Sequence, residues 1–218
     1  MAQARFITFE GGEGSGKSTQ IALLASALRE LGETVLTVRE PGSSVVGESI
    51  RATLLDPANA AMSDRAELLL YEAARAQVVD EVIRPALEAG TVVLADRYFD
   101  STTAYQGYGR GLNLDEIAQL NAFAVGGLVP DRTVVLDIPA DEGLTRALSI
   151  GQPDRLEQQA LAFHERVREG FLDIALTEPN RVRVVDAVQN VDAVFADVLF
   201  AVEDLFPALD VPLDGVLG

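Results

Sequence analysis

The sequence predicts an α/β fold in which a mostly parallel sheet carries helices on both faces. Short β-branched runs alternate with longer helical patterns along the chain, as in βαβ units with right-handed crossovers. The first strand runs through a glycine-rich loop directly into a helix. A length of 218 residues, 48% of them hydrophobic, suits one domain with a sizeable core.

Residues 4–10 read as a buried strand, carried by Phe6, Ile7 and Phe9. A helix over 17–31 follows, with apolar side chains at helical spacing and Gly32 ending the run. A strand is predicted over 34–39 and a helix over 45–55. A long helix over 64–89 is apolar nearly all round its middle, from Leu68 through Ala73 to Val82. It is either a central core helix or one side of a dimer interface. Pro85 should kink it or end its regular part. A strand over 91–96 comes next, then a helix over 114–125 with a capping start at Asn113. A strand over 132–138, helices over 140–149 and 157–177, a strand over 181–186 and a helix over 191–205 complete the alternation. The expectation is one domain over 1–206 with a mobile flap near 150–157. Residues 207–218, with Pro207 and Pro212, are expected as a loosely packed C-terminal extension.

Within the first loop, Gly11-Gly12-Glu13-Gly14-Ser15-Gly16-Lys17-Ser18 fits G-x-x-x-x-G-K-[ST] without a mismatch. Lys17 is the only lysine; the other 16 basic residues are arginine. A chain that uses arginine everywhere else uses lysine here because a compact ammonium threads under such a loop and a planar guanidinium does not. Backbone N–H groups from Gly14 through Ser18, followed by Thr19, would cradle phosphate at a helix N-terminus. Lys17 would reach the β- and γ-phosphates, and Ser18 would hold Mg²⁺. The spacing is not that of a dinucleotide site. Without a second lysine the chain has no Asn-Lys-x-Asp element, which excludes a guanine-reading switch.

Other constellations fall at the carboxyl ends of strands, where ligands bind in open α/β sheets. Asp96-Arg97-Tyr98 follows the third: Asp96 can orient Mg²⁺ through water, and Arg97 can fork onto a phosphate. Arg39-Glu40-Pro41-Gly42 follows the second, so Arg39 can meet a further phosphate, and the bond before Pro41 is expected trans. Tyr71 and Arg75 share a helix face and either hold a nucleobase or form an ordinary core-edge pair. Ser101 through Gly107 supplies hydroxyls, the Tyr105 ring and the Gln106 amide; it reads either as base- and sugar-contacting or as a plain turn. His164, the only histidine, is expected to be structural.

The net charge of −17 favours solubility and disfavours nucleic acid and anionic membranes as partners. It also means that converging arginines should mark the site. No cysteine is present, and no apolar run reaches membrane-spanning length. The expectation is a soluble cytoplasmic protein.

Taken in order, Phe9-Glu10-Gly11 with Gly14 to Thr19, Arg39 to Gly42, Ala73-Ala74-Arg75, Asp96-Arg97-Tyr98, Ala104 to Gly107, Gly109-Arg110-Gly111 and Asp154 to Gln158 resemble thymidylate kinases. These are P-loop enzymes of the nucleoside-monophosphate kinase group. The resemblance spans roughly residues 5–190. It implies a three-layer P-loop kinase fold with a five-stranded parallel sheet and a short lid. It further implies a homodimer and the reaction of Mg-ATP with dTMP to give dTDP. By position, Arg75 would hydrogen-bond thymine, Tyr71 would stack on it, and Thr102 and Gln106 would lie near the base. Arg39 and Arg97 would grip the dTMP phosphate, Tyr105 would pack on the deoxyribose, and Arg146 would lie beside adenine. Glu13 would sit near the acceptor sugar and the metal. The sequence departs from the family in one respect: the loop carries acidic Glu13, and no basic residue lies between Arg146 and Arg155. Arg155 is therefore expected to close onto the transferred phosphoryl group. The competing readings are another nucleotide kinase and a catalytically silent nucleotide-binding scaffold.

Overall fold

The computed structural model describes residues 4–149 and 153–209. Five parallel strands, β1 (Phe6–Glu10), β2 (Val35–Arg39), β3 (Val92–Asp96), β4 (Arg132–Asp137) and β5 (Val182–Asp186), lie in the order β2-β3-β1-β4-β5. Helices follow at α1 (Lys17–Glu30), α2 (Val45–Leu55), α3 (Asp64–Val78), α4 (Arg84–Glu88), α5 (Phe99–Thr102), α6 (Leu114–Val125), α7 (Ala140–Leu148), α8 (Leu161–Thr177) and α9 (Val191–Val202). All five strands and the first two helices form where the residue pattern places them.

Side-chain alternation along β1 sets the layers. Ile7 and Phe9 face a core shared with Ile21, Leu24 and Leu28 of α1 and with Phe195, Val198 and Val202 of α9. Phe6 faces the opposite core, with Val78, Ile83 and Tyr98. On that same side Thr8 and Glu10 are fully buried polar groups. They belong to a hydrogen-bonded layer: the Thr8 and Thr133 hydroxyls lie 2.7 Å apart, and Arg181 forks onto Asp100 at 2.6 and 2.9 Å. Buried polar groups of this kind are tolerated only when paired. Pairing also ties the strand ends that bear the site to α5.

Three elements differ from their sequence expectation. The long helix is divided: α3 gives way to a π turn over Val79–Ile83, and α4 carries Pro85 in its first turn. The wider turn lies just ahead of the residue that lacks an N–H. Residues 101–107, readable as a turn, are helical: α5 continues into a π segment over Thr103–Gly109. Serine and threonine disfavour helix when their side chains compete for backbone. Here Ser101 and Thr102 bond Glu10 and Arg75 instead. The helix expected from 157 begins at Leu161, because Asp154 Oδ1 accepts from the amides of Leu156 and Glu157 and holds 154–157 as a turn.

The Glu40–Pro41 peptide is cis, against the trans expectation. Phe206 is buried, and Leu205 and Leu209 pack on the α1/α9 core, so packing continues to Leu209. Pro212 and residues 150–152 of the expected flap lie outside the described residues. Among the described residues no helix is long and apolar enough to cross a membrane.

Candidate active site

At the carboxyl ends of β1, β2 and β3 the loops enclose a cavity of about 660 Å³. Its floor is the phosphate loop. Gly11 has φ 130, and a Cβ there would strike the Leu136 carbonyl; Gly14 has φ 64 and abuts the Gly143 carbonyl. Only glycine allows both the left-handed backbone and the close approach. Helix α1 starts after Gly16 with no side-chain cap, which leaves its first amides for an anion. Lys17 Nζ donates to Gly11 O at 3.2 Å, Gly12 O at 2.8 Å and Ser15 Oγ at 3.2 Å. Burial pushes the Lys17 amine down to about 8, and the charge of Arg97 adds to that. Gly11 and Gly12 thus lie beneath the lysine, while Gly14, Ser15, Gly16, Lys17, Ser18 and Thr19 line the cavity.

Ser18 Oγ donates to Asp96 Oδ2 at 2.9 Å, so the hydroxyl and the carboxylate already face each other. This pair of hard oxygen donors fits Mg²⁺, which takes few protein ligands alongside substrate phosphates.

Arg97 is the electrostatic centre of the cavity. It has φ 72, a left-handed backbone uncommon for a side chain of this size. Its Nη1 donates to Gly11 O at 3.0 Å and Ser101 Oγ at 3.1 Å; its Nη2 donates to Glu13 Oε1 and Tyr105 Oη, both at 3.0 Å. The guanidinium lies 4.8 Å from the Tyr105 ring centroid. Behind it, Glu10 Oε1 accepts from the Tyr98 amide at 2.7 Å and Oε2 from Ser101 Oγ at 2.5 Å. Burial, with the neighbouring Asp100 charge, raises the Glu10 carboxyl to about 8. Glu13 goes the other way. Burial opposes its ionisation, but Arg97, Lys17 and the Tyr105 hydroxyl hold it at about 2. Glu13 bonds Arg97 and Tyr105, and the Ser18–Asp96 pair bonds separately.

Arg39 sits on the cavity wall with Nη2 on both Glu48 oxygens, at 3.0 and 3.1 Å. Beside it Arg51 donates Nη1 to Pro41 O at 3.0 Å. Sequence reasoning passed over Arg51; its signal was a cavity-facing helix just after Arg39-Glu-Pro-Gly. Tyr71, Thr102, Tyr105 and Gln106 line the same wall. Arg146 lines the opposite end, packed against Gly14, with Nη1 on Ala187 O at 2.9 Å and Nη2 on Glu142 at 2.7 Å.

Two expected site residues are not brought to the cavity surface. Arg75 is 2% exposed and donates to Glu40 at 2.8 Å, Glu72 at 2.6 Å, Thr102 Oγ1 at 2.8 Å and Tyr98 O at 3.1 Å. It braces Thr102 from behind. Arg155 is 4% exposed, with Nη1 on Glu67 at 2.6 Å and Nε on Leu54 O at 2.7 Å. In this structure the arginine expected to close onto the transferred phosphoryl group is anchored by a buried carboxylate. His164 is buried beside Phe163, as a structural residue would be.

The chain is similar throughout to proteins of one family. The sequence pattern described as thymidylate kinase matches residues 9–198. The thymidylate kinase of Deinococcus radiodurans is 52% identical over 204 residues, covering 94% of this chain and 98% of that protein. That of Nitratidesulfovibrio vulgaris is 51% identical over 210 residues, covering 93% and 98%. The crystal structure of thymidylate kinase from Ehrlichia chaffeensis superposes with a TM-score of 0.75 at 35% identity, over 92% of this chain and 98% of that one.

Proposed function

We infer the function from one premise: the chain belongs to the thymidylate kinase family. It is a nucleoside-monophosphate kinase that phosphorylates dTMP to dTDP with ATP, a step of deoxythymidine nucleotide biosynthesis. The observation that carries the reading is a single cavity with two poles whose side chains and amides suit phosphate. One is the Gly14–Thr19 loop with Lys17; the other is Arg39, Arg51 and Arg97.

The donor triphosphate takes the loop amides and Lys17, with adenine beside Arg146. The dTMP phosphate takes Arg97, Arg39 and Arg51, and thymine takes Tyr71, Thr102 and Gln106. Tyr105 packs on the deoxyribose, where a 2′-hydroxyl would be crowded. A phosphate oxygen of dTMP attacks the γ-phosphorus in line, and the bond to the β–γ bridging oxygen breaks, releasing ADP. Positioning and charge neutralisation carry such a transfer, so no protein nucleophile is required. Arg97 stands between the loop and the acceptor wall and stabilises the equatorial oxygens as charge develops. Glu13 and Tyr105 hold its fork in place. Ser18 and Asp96 would hold Mg²⁺, which would supply charge neutralisation on the donor phosphates when bound.

The exposed Leu69 of α3 and the exposed Phe123 of α6 lie on two helices that pack together; they support a homodimer through that face. The enzyme works in the cytoplasm as one domain. The test is ADP release from Mg-ATP with dTMP, dUMP, UMP and dCMP as separate acceptors. Release with dTMP and little with UMP is expected; release with none would leave a nucleotide-binding scaffold.

A further inference from the structure

Glu67 lies one helical turn before Tyr71 and is fully buried. Both oxygens of its carboxylate are engaged by donors or cations. Oε1 accepts from Gln106 Nε2 at 2.8 Å and Arg110 Nε at 3.1 Å. Oε2 accepts from Arg110 Nη2 at 2.9 Å and forms an ion pair with Arg155 Nη1 at 2.6 Å. One carboxylate therefore ties α3 to the π segment that lines the acceptor wall and to the 154–157 turn.

The consequence falls on Gln106. A side-chain amide has a donating end and an accepting end. An ionised carboxylate accepts only, so it can take only the NH₂ end; the reverse orientation would set two oxygen acceptors against each other. Burial works against the Glu67 charge, but the Arg110 and Gln106 hydrogen bonds hold its carboxyl below the usual range, so it stays an acceptor near neutral pH. Gln106 lines the cavity, and its Oε1 has no hydrogen-bond partner among the described residues. The carbonyl is the end that the cavity can use.

We propose that Glu67 is a specificity-determining positioning residue: by fixing the Gln106 amide, it makes the acceptor wall present a hydrogen-bond acceptor to the base. This rests on the reading of that wall as the pyrimidine site. Thymine and uracil carry a donating N3–H and match such a wall. Cytosine carries a lone pair at N3, so two acceptors would meet and remain unpaired on binding. Glu67 thus discriminates dTMP from dCMP without touching either.

The experiment compares kcat/KM for dTMP and dCMP in wild type, Glu67→Gln, Glu67→Asp and Gln106→Leu. A glutamine at 67 offers Gln106 either end, so the amide can turn. The dTMP:dCMP preference should fall at least tenfold in Glu67→Gln, mainly through KM for the acceptor, with KM for ATP unchanged. Glu67→Asp should restore most of the preference. In the Gln106→Leu background, Glu67→Gln should change the preference no further. A Glu67→Gln enzyme that turns over dTMP with the wild-type preference overturns the proposal. Should that variant not fold, Gln106→Leu decides, because an unaltered preference there overturns it equally. Wild type that fails to use dTMP at all would instead remove the functional reading on which this rests.

Discussion

Arg97→Met is the most informative single change in the cavity. It removes a guanidinium that makes four hydrogen bonds, to Gly11, Ser101, Glu13 and Tyr105, from the boundary between the two phosphate poles. One electrostatic donor aimed at developing charge is worth about 10²–10³-fold in rate, and an arginine on a transferring phosphoryl group about 10³–10⁵-fold. Part of that is offset, because Glu13 keeps Tyr105 and Lys17 as neighbours. The expected loss in kcat/KM for dTMP is therefore about 10³-fold, or ~4 kcal/mol of transition-state stabilisation. The ATP dissociation constant should change by less than about threefold, since Lys17 and the loop amides remain. Arg97→Gly supplies the internal control. It should be as inactive as Arg97→Met yet more stable by about 1 kcal/mol, because φ 72 suits glycine and strains every other side chain. Steady-state kinetics, nucleotide titration and denaturant unfolding give the three numbers. Arg97→Met activity within tenfold of wild type would refute the placement of Arg97 at the reacting phosphates.

Further outcomes follow from the same geometry. Lys17→Arg should abolish the ATP-dependent rise in Tm, since Nζ occupies a space bounded by three oxygens within 3.2 Å. A preserved thermal shift would contradict the threading argument. Arg155→Met should lower stability by about 3–5 kcal/mol, as for a broken buried ion pair, with kcat down less than tenfold. A collapse in kcat at unchanged Tm would return Arg155 to the transferred phosphoryl. Glu10 and Glu40 both titrate above their ordinary value, at about 8 and about 7, chiefly through burial. The folded state thus binds more protons than the unfolded one from about pH 4.5 upward, and this contribution to stability is lost as pH rises toward 8. Glu10→Gln should flatten that decline in unfolding free energy, and an identical pH slope would argue against the buried carboxyl. Leu69→Glu with Phe123→Glu should shift sedimentation from dimer to monomer; a monomeric wild type would dismiss that face.

The fold was legible because local pattern and tertiary role agree. β1 alternates Ile7 and Phe9 against Phe6, Thr8 and Glu10, and the loop after it needs glycine for reasons that residue identity states outright. The phosphate loop, Asp96 and Arg97 fall at strand ends, where topology converges them. Reading stopped where a side chain's partner lies far along the chain. Glu67 holds Arg155, and five acceptors surround Arg75, partners that no local motif announces. Residues 101–107 read as a turn because serine and threonine usually seek backbone; here Ser101 and Thr102 are engaged by Glu10 and Arg75. Glu67 carries no local motif, and only its spatial neighbours reveal it.

The central claim is direct transfer between the two poles of one cavity. It is tested most directly by phosphorus NMR of the wild-type enzyme with Mg-ATP and dTMP. The account predicts dTDP and ADP appearing in equal amounts, with no inorganic phosphate beyond the enzyme-free rate. ADP accompanied by inorganic phosphate, with dTMP unconsumed, would show water reaching the γ-phosphate and would contradict it.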